Sequence, residues 1–144
     1  TRSADALQQL LTVVQQAAAG GWDAIEWRGG PEGTVRPDWT ADRRSSLRRA
    51  LAAAGLGSVA VTTYSNLISG DPGVVRASVA DAAAHAELAG DLGAPAIRLF
   101  LGERDDDARD LRDEGRVDQR RLDELFVEFD QLLGRRALEQ VVTE

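Results

Sequence analysis

The stretch AAGGWDAIEWRGG sets an acid, an indole and a guanidinium in a row, at Glu26, Trp27 and Arg28, just before a glycine pair. These side-chain types suit recognition of a polar small molecule. Carboxylates and guanidinium groups bond hydroxyls or phosphates, and an aromatic face packs against a carbon chain. Two further candidates stand in comparable settings. Tyr64 follows the β-branched run SVAVTT, and Arg98 lies inside the apolar run AIRLFLG. An arginine in an apolar strand is costly unless its charge is paired or reaches the strand's end.

Each candidate has a plainer alternative. Glu26 is either a substrate-side carboxylate or a strand-end acid paired with Arg28 or Arg98. Arg28 either meets a ligand or snorkels from a glycine loop. Arg98 either serves the site or forms a buried ion pair with Glu26, and Tyr64 either lines a pocket or covers a strand end. By alternation Trp27 faces away from Glu26 and reads as core. Trp22, at a helix–strand turn, reads as structural. His85, the single histidine, follows Asp81 by four residues in DAAAHAELAG, an i,i+4 pairing position on a helix and not a catalytic one. The run GERDDDARDLRDEGR lacks the glycine-and-glutamate spacing of a calcium loop and reads as a solvated loop that can close over a substrate.

The elements that must position these residues follow from periodicity. Ser3 is a suitable cap for a first helix, with Leu7, Leu10, Leu11 and Val14 at helical spacing and a stop at Gly20-Gly21. Ala24 to Trp27 reads as a strand, followed by a loop rich in glycine and proline. Thr40 caps a second helix with Leu47, Ala50 and Leu51 on its apolar face, ended by Gly55. Ser58 to Thr63 reads as a second strand. Asp71-Pro72 opens a third helix, with Val75, Val79, Ala82, Ala83, Ala86 and Ala89 inward and Gly93 at its end. Ala96 to Gly102 reads as a third strand, and a fourth helix carries Leu122, Leu125, Phe126, Phe129, Leu132 and Leu133 on one face. The joins at Gly21, Gly55 and Gly93 repeat at a period of roughly 35 residues, the mark of βα units and a parallel sheet covered on both faces.

Composition excludes several functions. The 144 residues carry a formal net charge of −7, with 17 basic residues, all arginine, against 24 acidic ones. That balance argues against a nucleic-acid backbone or an anionic membrane as partner. No cysteine is present, so thiolate nucleophiles and disulfides are excluded, and without lysine there is no Schiff base. No apolar run approaches the ~20 residues of a membrane span, and the expected location is the cytoplasm. The chain opens on Thr1 and contains no methionine, which suggests a trimmed or partial chain.

GGWDAIEWRG, then LRRALAAAGLGSVAVTTYS, then AHAELAGDLGAPAIRLFLG resemble, in this order, the first half of the xylose-isomerase-like TIM barrels, the sugar-phosphate isomerases and epimerases. The resemblance runs from about Ala17 to Gly102. It implies an α/β fold, part of a (β/α)8 barrel holding roughly strands two to four, with 1–144 as one domain that lacks strand one and strands five to eight. An eight-unit barrel needs about 250 residues. The resemblance places the site beyond the C-terminal strand ends. Glu26, Arg28, Tyr64 and Arg98 then become substrate-binding residues, with Thr63, Ser65, Phe100 and Glu103 on the same rim.

The implied function is a sugar or polyol isomerase or epimerase, bacterial by composition, using metal-assisted proton transfer next to a carbonyl. The implied cofactor is a divalent ion (Mg, Mn, Zn or Co) whose ligands lie outside this chain, and no residue here is assigned as catalytic. The family's AP-endonuclease branch is disfavoured, because the strand ends TTYS and RLFLG carry no histidine. The alternative is a non-catalytic half-barrel that pairs with itself or another chain to cover open strand edges.

Overall fold

The computed structural model describes residues 2–100 and the helical position Val127. Along the chain run α1 (Arg2–Ala19), β1 (Ala24–Arg28), α2 (Ala41–Ala53), β2 (Gly57–Thr62), α3 (Pro72–Leu92) and β3 (Ala96–Arg98). The strands form one parallel sheet in the order β1-β2-β3. This is the α/β arrangement of a partial TIM barrel. Apart from Val127 the expected fourth helix lies outside the described residues, as does the charged run of residues 103–116 with Glu103.

Helix boundaries follow their capping chemistry. Thr40 receives the Arg43 amide on its side chain at the start of α2, and Asp71 receives the Gly73 amide at the start of α3, with Pro72 in the first turn. Gly93 closes α3 in the left-handed conformation. The first helix differs from expectation: it already includes Arg2, so Ser3 lies within it and is not its cap. The third strand also stops earlier, at Arg98.

The buried cluster joins strand residues Trp27, Val61 and Ile97 to Leu10 and Val14 of α1, Leu47 and Leu51 of α2, and Val79, Leu88 and Leu92 of α3. Among the described residues only one face of the sheet is covered in this way. On the other face Glu26, Arg28, Val59 and Arg98 are exposed, so the strands alternate and are not apolar on both faces among the described residues. Trp22, expected to be structural, is 70 % exposed. The turn after α1 holds its indole beside Gly20, outside the core.

The pairing of β1 with β2 is irregular. From Ile25↔Ser58 to Trp27↔Val61, β1 advances two residues and β2 three. Because side chains alternate with period two, one extra residue inverts the faces of everything after it. Before the bulge Ser58 lies on the helix side, where its Oγ accepts the Trp27 Nε1–H at 3.0 Å. After it Val61 returns to the core and Thr62 turns to the open face.

The loop from β1 to α2 is held by its own polar groups. The Arg28 carbonyl accepts the amides of Thr34 and Val35, and the Gly33 amide reaches the Gly30 carbonyl. Further along, Arg36 and Asp38 pair at 2.5 Å, and the guanidinium holds the Asp38 carboxyl below the usual carboxylate range. Trp39 is buried, with the Arg43 guanidinium 4.1 Å over its ring. Arg44 ties this segment to α3, donating to the carbonyls of Trp39 and Pro37 and to Asp91 Oδ2.

Candidate functional site

The four residues expected to bind substrate meet at one end of the sheet. Strand alternation puts Glu26 and Arg28 on the open face of β1, two residues apart. Thr62, at the end of β2, donates its hydroxyl to Glu26 Oε1 at 2.6 Å. Arg98, at the end of β3, approaches the same oxygen with Nη1 at 3.5 Å. The expected ion pair therefore exists but is not buried, since the two side chains are 47 % and 43 % exposed.

The aromatic residues complete the rim. Tyr64 and Phe100 stack with ring centroids 5.4 Å apart and planes 9° from parallel. The Arg28 guanidinium lies 5.2 Å from the Tyr64 ring and that of Arg98 lies 5.4 Å from the Phe100 ring. One continuous band thus runs across all three strand ends, from Arg28 through Tyr64, Phe100 and Arg98 to Glu26 and Thr62. Its six side chains carry two guanidinium groups against one carboxylate, a local excess of positive charge in an acidic chain. Such a band can hydrogen-bond hydroxyls or an anionic group while two flat apolar faces contact carbon.

Some rim expectations are corrected. Thr63 and Ser65 are buried and bond to each other at 3.1 Å, and the Thr63 amide donates to the Arg98 carbonyl at 2.9 Å. They pin the β2 end to the β3 end instead of lining the site. Thr62, which sequence reasoning passed over, is itself 7 % exposed and joins the site through its hydroxyl's bond to Glu26. Its neighbour in TTYS has the same side chain, and only the bulge distinguishes their faces. Trp27 is 2 % exposed and serves the core, as alternation required.

His85 is held at both ring nitrogens. Nδ1 is 2.8 Å from the Asp81 carbonyl oxygen and 3.3 Å from its carboxylate, and Nε2 accepts the Gly30 amide at 2.9 Å. The ring is completely buried, although the expected inner face of α3, Val75, Val79, Ala82, Ala83, Ala86 and Ala89, did not include it. Among the described residues no group of three His, Cys, Asp or Glu side chains can hold a metal ion. The rim contributes a single carboxylate, and these residues do not make a divalent-metal site. Nor is any helix among them long and apolar enough to cross a membrane.

Comparison with known proteins agrees with this fold. No curated protein matches the chain. A protein assigned as a xylose isomerase from Rhodospirillum rubrum superposes with a TM-score of 0.62 at 13 % identity, over 92 % of this chain and 46 % of its own. A xylose isomerase domain protein from Planctomyces limnophilus gives 0.62 at 14 % identity, over 90 % and 48 %. The chain thus spans about half the length of each of these structures. The family model described as xylose isomerase-like TIM barrel matches residues 14–134, most of the chain. With three parallel strands alternating with helices and a polar rim at the strands' C-terminal ends, the chain belongs to the xylose isomerase-like TIM barrel family.

Proposed function

We propose that this chain forms the substrate-side wall of a sugar or polyol isomerase or epimerase, acting by proton transfer at a carbon next to a carbonyl. The observation that carries this reading is the band joining Glu26, Thr62 and Arg98 to the Tyr64–Phe100 stack and Arg28. Glu26, oriented by Thr62 and Arg98, accepts hydrogen bonds from substrate hydroxyls. Arg28 and Arg98 donate to hydroxyls or to a phosphate, and the two rings flank the carbon chain. In this family a divalent ion polarises the carbonyl oxygen. The described residues offer no ligand set for one, so their part is to bind and orient.

Deuterium exchange tests the reaction class. Incubated in D2O with pentoses, hexoses and their phosphates, the full-length protein is expected to label the carbon next to the carbonyl of at least one of them. Arg98→Ala and Arg28→Ala should each raise KM for that substrate roughly tenfold or more, the usual consequence of losing a charge-assisted hydrogen bond. Absence of exchange with every such sugar overturns the reading. Unchanged kinetics in folded variants overturns the assignment of these arginines.

One observation favours the half-barrel alternative: Val59, in the central strand, is 51 % exposed on the open face of the sheet. A chain that pairs to cover that face should sediment as a dimer, dissociating on dilution. A monomer at all concentrations rules self-pairing out.

A further inference from the structure

We infer that His85 is a positioning residue: its buried imidazole latches the Gly29-Gly30 turn to α3 and so fixes Arg28 and Tyr64 at the rim. It rests on the proposed function only in treating that rim as a substrate site.

Hydrogen-bond inventory sets the state of the ring. Gly30 presents an N–H to Nε2 at 2.9 Å, so Nε2 must be the acceptor and carries no proton. The proton then resides on Nδ1, which donates to the Asp81 carbonyl at 2.8 Å, with the Asp81 carboxylate 3.3 Å away. One turn of α3 thereby orients the ring, and the ring in turn satisfies a loop amide that would otherwise be buried without a partner.

The turn is shaped to receive it. A Cβ on Gly29 would fall 2.5 Å from His85 Cδ2 and 2.7 Å from the Thr62 carbonyl, so the imidazole occupies the space that a side chain would need. The Gly29 amide donates to that same Thr62 carbonyl at 2.8 Å, extending the β1–β2 ladder past Arg28. Gly30 has φ +96°, and its missing side chain would point at Tyr64 Cδ2, 3.8 Å away. Hydrogen bonds therefore run from Asp81 through His85 to Gly30, and the Tyr64 ring, over which the Arg28 guanidinium lies, borders the open space beside Gly30.

The test uses the free full-length protein first, because its readouts need no substrate. The nitrogen-15 spectrum should show the Nδ1–H tautomer of His85 and a coupling across the hydrogen bond from Gly30 N to Nε2. A proton on Nε2 overturns the latch, and this measurement stands even if no variant folds. In His85→Leu, amide exchange at Gly30 should accelerate at least tenfold, and the Tyr64 ring-current shift on the Arg28 side chain should collapse. Core amides such as Val61 and Leu88 should keep their protection. His85→Gln, whose amide oxygen can stand in for Nε2, should restore both signals.

Unchanged Gly30 exchange in His85→Leu, or no restoration by His85→Gln, overturns the inference. Where a substrate is turned over, His85→Leu should raise KM about tenfold with kcat nearly kept. Equal losses in both parameters, or an unchanged KM, overturn the positioning role while leaving the sugar reading intact.

Discussion

Trp27→Ala is expected to destabilise the fold by about 4 kcal/mol, the range for removing a large aromatic side chain from a closed core. Trp27 is 2 % exposed, lies level with Val61 in the sheet, and shares a cluster with residues of all three helices. No single neighbour can move to fill the void, because strand and helices are each held by several contacts. Its indole N–H also satisfies Ser58 Oγ, which is itself buried. Trp27→Phe separates the two effects. It keeps most of the volume but leaves that hydroxyl without its donor, a loss of about 1–2 kcal/mol. Urea unfolding followed by circular dichroism measures both, at an unchanged m-value. An alanine variant that loses less than about 1 kcal/mol would mean that the indole is not an anchor of this core.

Gly33→Ala should cost about 3 kcal/mol, through crowding of backbone against backbone. A Cβ there would stand 2.2 Å from the Gly29 carbonyl oxygen and 2.5 Å from that of Arg28. No rotamer change relieves such a contact, so the turn must open. Opening it breaks the Gly33–Gly30 hydrogen bond and the two amide bonds to the Arg28 carbonyl. The same exchange at Gly90, where a Cβ meets nothing within 4 Å in the exposed part of α3, is the control. It should stabilise by a few tenths of a kcal/mol up to about 1, from helix propensity alone. Thermal melts of the two variants moving in opposite directions would confirm the contrast; equal small shifts would refute it.

How much of this was legible beforehand depends on the range of the interaction. The caps Thr40 and Asp71 and the stop at Gly93 were readable because each acts on backbone groups within a few residues. The convergence of Glu26, Arg28, Tyr64 and Arg98 was readable as well, since parallel strands joined by helices bring all their C-terminal ends to one side. The choice between Thr62 and Thr63 was not. In TTYS the two side chains are chemically identical, and their faces depend on a register shift several residues earlier in β2. His85 was legible as a partner of Asp81 but not of Gly30, which lies 55 residues away.

The sequence by itself determined the class of this protein. Its βα period, glycine stops and strand-end polar residues specify a parallel sheet with polar side chains gathered at its C-terminal end, because these signals are local and repeat. Tertiary structure alone decided which side chains share that rim and what holds them. The bulge turns Thr62 toward Glu26 and Val61 into the core, and the packing of α3 against the β1 loop puts a buried imidazole under Gly30. Both outcomes depend on register and on contacts between distant segments, where a shift of one residue exchanges one face of a strand for the other.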